Sequence, residues 1–471
     1  MSQKSAMSSS AIAAAMDSNL TAGYLLTRLN NSHSTWEPMS KESFRNEKGM
    51  PGVVWAVTTN GEYFASHTSI GLSEYLAGKK LREMLSMGTM PPRSALSDGS
   101  GLNLLQRRAL INILIESASV VDGLPGVGKT YMVAYAYREL KRLGKTSIGC
   151  AFTGSAASRL NQSTGMKCFT VHMLLGYNGD SFEYNEENPL PYDMIFLDEA
   201  GQIDVVLYWS LLRAIKPGAC ICHLGDTNQI GSVAPGNVLA ELSKCLPTTT
   251  LTEIVRSDPQ GPIGYALRRI MDGMPPESYG SVSEGGVFFR VCSDENIPKL
   301  AIKAMRRIST IENCGPTEVR SLAYTNSLSN SINVECFQAR LFDHIPIIAR
   351  QNNYNLGYFN GDTGVMKQDG LVDFGGKIVP MNSDLTIGYS STINVSQGQQ
   401  FRGVFLAISN DGIGIPNRNF SLTALTRAEK WVLIGGSFEK FKASLNRTDF
   451  NRKSLLSDFV NGSAYLVSKE R

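Results

Sequence analysis

A glycine-rich loop at residues 123–130 has the residue types and spacing best suited to chemistry. Gly123, Gly126 and Gly128 precede Lys129 and Thr130 in the run GLPGVGKT, between an apolar stretch and a helical pattern. This run satisfies the G-x-x-x-x-G-K-[ST] pattern, in which loop amides surround phosphates, the lysine reaches the terminal ones and the hydroxyl binds Mg²⁺. The residues expected to surround the phosphates are Gly123, Pro125, Gly126, Val127, Gly128, Lys129 and Thr130.

Acidic residues follow two later apolar runs. In YDMIFLDEA, about 70 residues after the loop, the run ends at Asp198 and Glu199. A phosphate loop requires a carboxylate at the end of a neighbouring strand, so we expect Asp198 to hold Mg²⁺ with Thr130, and Glu199 to activate the attacking water. One strand later, CHLGDTNQI places Asp226 and Gln229 at the same sheet edge, where ligands of such sheets bind.

Apolar runs alternate with helical patterns from about residue 101 onward. They are ASVVDG, TSIGCAFTG, YDMIFLDEA, ACICHLGD, RSLAYTN, GVFLAIS and KWVLIGG. Such alternation is typical of parallel, doubly wound sheets. The periodicity is interrupted near residue 247 by CLPTTT. The sequence therefore predicts an α/β fold with two parallel sheets flanked by helices.

The rest of the chain divides by composition. Residues 1–35 are rich in Ser, Ala and Asn and predict a flexible leader. Residues 36–95 predict a small α+β domain, because an alternating stretch is centred on Asn60 and Gly61, a strong hairpin signal. The sheet domains are expected at 96–247 and 248–440, with a small β insertion, a hairpin or reduced barrel, at about 345–388. Residues 441–471 are expected to be a C-terminal tail.

Composition and charge exclude several classes of protein. The formal charge is +3, from 45 basic and 42 acidic residues, so no global charge marks a nucleic-acid binder. The eight cysteines are scattered without paired CxxC elements, which argues against a structural zinc site or a disulfide framework. The run CICH at 220–223 is interpreted as a buried strand. No apolar stretch of about 18 residues occurs, so we expect a cytoplasmic protein without a transmembrane segment.

Taken together, these elements resemble superfamily 1 helicases, with matches in order over residues 101–438. LNLLQRRAL resembles the segment that reads adenine, AFTGSAA and TVH resemble motifs Ia and Ib, LDEA resembles motif II, and GDTNQI resembles motif III. LTEIVRSD, INVSQGQQF and SLTALTRAEK resemble motifs IV, V and VI. The resemblance implies that the two sheets are RecA-like P-loop domains and that Mg·ATP binds between them.

The resemblance also assigns roles to residues outside the loop. Gln106 would read adenine, and Gln229 would couple the terminal phosphate to the domain interface. Arg256 and Arg427 would approach the phosphates from the second domain when the cleft closes, which makes them sensors of closure. Gly398 and Gln400 would contact the nucleotide, although the family carries Glu at the position of Gln400, which affects nucleotide preference. Groups expected to touch a nucleic-acid backbone are Thr153, Thr170, His172, Thr392 and Ser396, of which His172 could equally be a core residue.

The sequence leaves the branch of the superfamily open. The late NGDTGVM turn resembles RecD-like and Dda-like enzymes, which move 5′ to 3′, whereas VDGLPGVGKT also resembles helicases of positive-strand RNA viruses such as tobamoviruses. We expect a monomeric motor on single-stranded RNA or DNA and forked duplex in viral or phage genome replication, with the N-terminal domain contacting other replication proteins. Two alternatives are an NTP-driven binding or movement protein that does not unwind processively, and an RNA 5′-triphosphatase. The segment GYNGDSFEYNEENPLPYD after motif Ib is a strand-separating pin or, preferably, a surface loop.

Overall fold

The computed structural model describes residues 29, 34–47, 50–87, 101–252, 261–281, 285–353, 356–367, 369–410, 416–447 and 452–467. Within these ranges the strands form four sheets. Most of the expected leader lies outside the described residues, and so do residues 88–100. No helix in the described ranges has both the length and the apolar character needed to cross a bilayer.

The first sheet combines three N-terminal strands with one C-terminal strand. Its region comprises β1 (Glu37–Met39), α1 (Lys41–Glu47), β2 (Val53–Thr58), β3 (Tyr63–His67), α2 (Thr68–Ser86), α14 (Leu456–Asn461) and β21 (Ala464–Leu466). The strand order is β1-β3-β2-β21, and every pair is antiparallel. The hairpin predicted at Asn60 and Gly61 is present between β2 and β3. We call these elements the accessory lobe.

The C-terminal segment is not the tail that the sequence led us to expect. Strand β21 pairs with β2, and Phe459 of α14 is buried against Trp36 and Tyr75, with ring centroids 5.8 and 5.3 Å apart. Helix α14 and strand β21 are too short to produce a periodic apolar pattern. Their burial against residues almost 400 positions earlier is a long-range event, so sequence periodicity cannot reveal it.

The second sheet carries the glycine-rich loop. Its elements are α3 (Leu104–Ile115), β4 (Ala118–Gly123), α4 (Lys129–Arg142), β5 (Ser147–Ala151), α5 (Gly154–Thr164), β6 (Cys168–Thr170), α6 (Val171–Leu174), β7 (Met194–Asp198), α7 (Val205–Arg213), β8 (Cys220–Gly225), α8 (Val238–Cys245) and β9 (Thr248–Leu251). The order is β6-β5-β7-β8-β4-β9, and all pairs are parallel. Apolar clusters cover both faces, as a doubly wound sheet requires. We call this unit domain 1.

The run CICH lies in the core of domain 1, as interpreted. His223 on β8 is fully buried, with one ring nitrogen 2.8 Å from the Tyr208 hydroxyl and the other 2.9 Å from the Ser119 carbonyl. Burial lowers the pKa of His223 to about 4, so the ring is neutral. In the described part of the chain, no cluster of three or more metal-ligating side chains occurs.

The third sheet forms domain 2. Its elements are α9 (Pro262–Met271), β10 (Tyr279–Ser281), β11 (Gly285–Val291), α10 (Ile297–Glu312), β12 (Val319–Ala323), α11 (Asn326–Gln338), β18 (Ser390–Thr392), β19 (Phe401–Ile408), α12 (Arg418–Thr426), β20 (Ala428–Gly436) and α13 (Phe438–Leu445). The order is β10-β11-β20-β19-β12-β18, parallel except for β10 with β11. Two apolar clusters again cover the two faces. The predicted α/β class with two helix-flanked parallel sheets is therefore confirmed.

The insertion in domain 2 is a complete small sheet. It holds β13 (Ile345–Ala349), β14 (Thr363–Met366), β15 (Leu371–Asp373), β16 (Ile378–Pro380) and β17 (Leu385–Ile387), all antiparallel, in the order β16-β15-β14-β13-β17. It has its own buried centre, with Ile347 and Tyr358 at 0% exposure. Phe359 packs so closely on Gly154 that a side chain at Gly154 would collide with the ring. The insertion therefore contacts domain 1 at the start of α5.

Candidate active site

The glycine-rich loop leads from β4 into α4 with a backbone that glycine favours. Gly126 and Gly128 have φ of 87° and 88°, and Gly128 is the N-cap of α4. A side chain at Gly123 would lie 2.6 Å from the Leu251 carbonyl oxygen of β9. The helix N-terminus and the adjacent amides thus face an open loop that can hold an anion.

Lys129, the first residue of α4, folds back over this loop. Its Nζ donates hydrogen bonds to the carbonyl oxygens of Gly123 and Leu124, the second at 3.2 Å. These carbonyl oxygens accept two of the hydrogen bonds that the ammonium group can donate. A phosphate would replace them as a stronger, charged acceptor.

Two carboxylates lie at the carboxyl end of β7. Glu199 adopts a left-handed conformation with φ 52° and ψ 41°, which is uncommon for a residue other than glycine. Its backbone N–H donates to Asp198 Oδ1 at 2.9 Å. Burial, together with the neighbouring Glu199 charge, raises the pKa of Asp198 to about 6. The pair therefore carries negative charge that a cation would stabilise.

Oxygen ligands of the kind that Mg²⁺ prefers are present in this region. The Thr130 hydroxyl and the Asp198 carboxylate line the same cleft, as predicted from their spacing. Burial raises the pKa of Asp198, and the positive charges of Arg159 and Lys129 oppose this rise only in part. These two residues fit a magnesium ion.

The loop after β8 is held by a second set of carboxylates. Asp226 is 5% exposed and accepts hydrogen bonds from Gln229 Nε2 at 3.1 Å and from the Asn228 backbone at 2.9 Å. Asp122 of β4 accepts from the Thr227 backbone at 2.9 Å and from its hydroxyl at 3.1 Å. The sequence did not single out Asp122, although its position one residue before Gly123 was a usable signal. These bonds set the direction of the Gln229 side chain.

Arg427 comes from domain 2 and meets this loop. Its Nη2 donates to Gln229 Oε1 at 3.3 Å, and its Nη1 donates to the Gln399 carbonyl at 3.3 Å. The side chain is 2% exposed, and burial lowers the pKa of its guanidinium. The structure therefore brings Arg427 and Gln229 together. Arg256, the other arginine expected from domain 2, lies outside the described residues.

Further hydrogen bonds join the two domains beside Arg427. The Ile230 backbone donates to Thr423 Oγ1 at 3.1 Å, and Gln397 Nε2 donates to the Ile230 carbonyl at 3.1 Å. Asn419 Nδ2 donates to the Gln229 carbonyl at 3.2 Å. Sequence reasoning missed these three side chains, although all of them lie in or beside the segments resembling motifs V and VI.

A cleft of about 460 Å³ opens between the domains at these groups. Its lining residues are Pro125, Gly126, Gly128, Lys129, Thr130, Tyr131, Arg159, Leu160, Gln162, Ser163, Asp198, Glu199, Gln229, Gln400 and Arg427. Most of the residues predicted to bind or act on the nucleotide therefore share one cavity, including Gln400 from domain 2. Tyr131 and Arg159 were not predicted.

Three residues predicted to contact the nucleotide lie against other parts of the protein in this structure. Gln106 is buried, and its Oε1 accepts from the Asn103 backbone at 3.2 Å in a capping box at the start of α3, which engages the oxygen expected to read adenine. Val127 is 1% exposed and packs in the core below the loop. Gly398 faces α5, where a side chain would lie 3.2 Å from the Arg159 guanidinium.

The residues expected to touch nucleic acid differ in accessibility. Thr153 is half-buried, and its hydroxyl caps α5 by accepting from the Ala156 backbone at 3.3 Å. Thr392, at the end of β18, is also half-buried. Thr170 is 2% exposed and caps α6, while Ser396 is fully buried and donates to the Ile393 carbonyl at 2.9 Å. In this arrangement the hydroxyls of Thr170 and Ser396 are buried and form hydrogen bonds with backbone groups of their own turns.

His172 lies in an aromatic cluster at the domain surface. Its ring is 5.5 Å from Tyr177 and 6.0 Å from Phe182, between ring centroids, and burial lowers its pKa. The acidic segment that follows, residues 176–193, contains an isolated β-bridge between Tyr177 and Phe182, and the next strand is β7. It is a surface loop of the kind preferred above.

Comparisons with known proteins agree with this geometry. A family profile described as an AAA domain matches residues 101–291. The chain is 29% identical to the ATP-dependent RecD2 DNA helicase of Deinococcus radiodurans over 438 residues, covering 86% of this chain but only 59% of that protein. It is 26% identical to the ATP-dependent DNA helicase dda of phage T4, covering 45% of this chain and 50% of the relative.

A solved structure is similar at lower identity. The Pif1 helicase from Bacteroides in complex with ADP-AlF3 and ssDNA has a TM-score of 0.47 and 16% identity, covering 78% of this chain and 99% of that one. The resemblance first found in the ordered motifs is confirmed by the sequence relatives.

Proposed function

We propose that this chain, a relative of the superfamily 1 helicases of the RecD and Dda kind, is an ATP-driven motor that moves along a nucleic-acid strand. The observation that carries the proposal is the shared cleft. Lys129 and Glu199 of domain 1 and Arg427 of domain 2 line one cavity, so catalytic groups of both domains surround the expected position of the phosphates. An ATPase built across two domains changes their relative position as its nucleotide state changes.

In this proposal the loop amides and Lys129 bind the phosphates of ATP. The ammonium group leaves the Gly123 and Leu124 carbonyls that it contacts in this structure and binds the terminal phosphates. Thr130 and Asp198 would hold Mg²⁺, which when bound offsets the negative charge of the phosphates. Glu199 accepts a hydrogen bond from the water that attacks the terminal phosphorus.

Arg427 and Gln229 link this chemistry to movement. Arg427 stabilises the charge that develops on the terminal phosphate oxygens, and Gln229 holds the guanidinium in place. Loss of the terminal phosphate removes an anion from between the domains, which weakens their attraction and allows the cleft to open. Since Thr153 and Thr392 lie in different domains, a strand bound to both would be gripped at two points whose separation changes in each cycle.

The relatives suggest a substrate. The two relatives carry the words DNA helicase in their names. We propose single-stranded DNA and forked duplex as substrates, and movement from 5′ to 3′, as the resemblance of the NGDTGVM turn to RecD-like and Dda-like enzymes implies. Because the proposed contacts are to the sugar-phosphate backbone of the strand, we expect the affinity for nucleic acid to fall with salt concentration and to be similar for all base sequences. Replication of a viral or phage genome remains a prediction about context.

The proposal is tested by ATP hydrolysis and strand displacement. The purified chain is assayed with single-stranded DNA or RNA as activator, and then with forks that carry a 5′ or a 3′ tail. We expect DNA-stimulated hydrolysis and displacement only with a 5′ tail, both abolished in Lys129→Ala and Arg427→Ala.

Other outcomes identify the alternatives. Hydrolysis without displacement of DNA or RNA of either polarity would overturn the motor and favour an NTP-driven switch. Release of terminal phosphate from a triphosphorylated RNA end, competed by ATP, would favour the 5′-triphosphatase.

A further inference from the structure

Arg159 is a cationic residue of the cleft to which the motifs assigned no role. It lies on α5, which begins directly after the Thr153 cap at the end of β5. Its side chain is 41% exposed and lines the cavity that contains Lys129 and Arg427. Among the described residues that line the cleft, three side chains are cationic, two of them from domain 1.

The guanidinium of Arg159 is paired weakly with the residue expected to activate water. One of its terminal nitrogens lies 3.8 Å from a carboxylate oxygen of Glu199, which is an ion pair but too long for a good hydrogen bond. Nε of Arg159 is buried and has no hydrogen-bond partner among the residues that the structure describes. Arg159 therefore has donors available for a better acceptor.

Domain 2 closes directly over this side chain. Gly398 is so near that a methyl group there would lie 3.2 Å from an Arg159 nitrogen. The positive charge of Arg159 also adds to burial in lowering the pKa of Arg427, so the two guanidinium groups repel each other. A polyanion between them would remove this repulsion.

We propose, on the basis of the proposed function, that Arg159 exchanges its partner during the cycle, from the Glu199 carboxylate that it faces in this structure to an oxygen of the terminal phosphate of ATP. The planar fork of arginine suits such an oxygen better than a distant carboxylate. The exchange has two effects. It adds a donor to the terminal phosphate, and it releases Glu199 to accept from water.

The released carboxylate then takes part in hydrolysis. The water oxygen bonds to the terminal phosphorus, the bridging P–O bond breaks with its electron pair on ADP, and the water proton passes to Glu199. Arg159 stays on the departing phosphate. Glu199 is thereby kept from acting until the terminal phosphate is present, which restricts the reaction to the loaded cleft.

The test compares nucleotides that differ only in the terminal phosphate. The affinities of the full chain for a non-hydrolysable ATP analogue and for ADP are measured with wild type, Arg159→Gln and Arg159→Lys. Arg142→Gln is the control, because Arg142 forms an ion pair with Glu139 at 3.0 Å on α4 and does not line the cleft. Thermal unfolding of each variant shows whether it is folded.

We expect Arg159→Gln to weaken binding of the ATP analogue about tenfold, as loss of one charged hydrogen bond does, and to leave ADP binding within about twofold. Its kcat falls as well, and Arg159→Lys recovers part of both losses. Equal weakening of ATP analogue and ADP, or no change in either, overturns the inference. A variant with increased hydrolysis and unchanged analogue binding also overturns it, because Arg159 would then only restrain Glu199. These outcomes are distinct from failure of the proposed function, in which wild type itself would not hydrolyse ATP.

Discussion

Arg427 of domain 2 donates a hydrogen bond from Nη2 to Oε1 of Gln229 in domain 1, over 3.3 Å. The same glutamine donates from Nε2 to Asp226 at 3.1 Å. Domain 1 therefore orients the Gln229 amide, and its oxygen accepts the hydrogen bond from domain 2. This relay connects a buried acid at the end of β8 with a buried guanidinium on the opposite side of the cleft. It is a direct hydrogen-bonded connection between domain 1 and domain 2 at the cleft.

Substitution of these two residues should show that they act together. Gln229→Ala and Arg427→Ala should each reduce kcat for ATP hydrolysis at least about 100-fold, because an arginine that stabilises the transition state is lost or misplaced. The kcat of the double variant should lie within about threefold of the kcat of the slower single variant. The effects of substituting residues that act as one unit are not additive. Steady-state rates at saturating ATP provide the measurement. A double variant in which the two losses multiply would refute this coupling.

Gly398→Ala should impair activity more than stability. Gly398 has φ of 80°, and an added methyl group would lie 3.2 Å from Arg159, 3.3 Å from Ser155 and 3.4 Å from Thr153. Gly165→Ala is the matched control, because Gly165 has φ of 70° and nothing within 4 Å of the added methyl group. Both variants should lose about 1–2 kcal/mol of unfolding free energy from left-handed strain. Only Gly398→Ala should lose ATPase activity, about tenfold or more, because the methyl group holds the domains apart. Equal activity of the two variants would contradict the close approach.

Phe459→Ala should destabilise the accessory lobe. Phe459 is 1% exposed and contacts the rings of Trp36 and Tyr75, so its removal leaves a cavity that costs about 3–5 kcal/mol. Tyr465→Ala on the neighbouring strand β21 is the control, since Tyr465 is 53% exposed and its loss should change stability by less than about 0.5 kcal/mol. Denaturant unfolding followed by tryptophan fluorescence measures both. Similar stability of the two variants would show that the C-terminal segment contributes little to the lobe.

Glu74 should make the accessory lobe less stable as pH rises. This side chain is 1% exposed, and burial raises its pKa from 4.5 to about 7, although hydrogen bonds from Ser454, Leu455 and Trp36 oppose the shift. Because the folded state holds the proton more tightly than the unfolded chain, the stabilisation is complete below about pH 4.5 and is lost as pH rises through about 7. The loss is on the order of 3 kcal/mol.

Comparison with Glu74→Gln isolates this contribution. The glutamine stays neutral, so the unfolding free energy of wild type minus that of the variant should decrease between pH 4.5 and 7 and remain constant above about pH 8. The measurement is a series of denaturant unfolding curves for both proteins across this range. A difference that does not change with pH would show that the pKa of Glu74 is the same in the folded and the unfolded chain.

Much of the phosphate site follows from local sequence. The spacing of Gly123, Gly128 and Lys129 requires a loop with left-handed residues before a helix, whatever surrounds it. Asp198 and Glu199 end an apolar run, and the end of a parallel strand places them beside that loop. The loop conformation depends on residues that are near in sequence, and the position of the two carboxylates depends on a shared sheet edge. Residue spacing and apolar periodicity were therefore enough to predict both.

Predictions about side-chain direction were less successful. Thr170 and Ser396 belong to segments that resemble strand-binding motifs, yet their hydroxyls form hydrogen bonds within their own turns and are buried. Gln106 completes a capping box. A hydroxyl or amide can satisfy its donors and acceptors locally or with a ligand, and the sequence contains no sign of which partner it has in the folded chain.

By itself the sequence determined the two helix-flanked sheets, the glycine-rich loop and the sheet edge that carries Asp198 and Glu199, since each depends on short-range backbone preferences and apolar periodicity. Only the tertiary structure placed Arg159 against Glu199, Gly398 against Arg159, and strand β21 beside β2. These contacts join segments far apart in the chain. Their energies come from the packing of surfaces and from charge pairs that exist only after both segments are buried, so no local pattern records them.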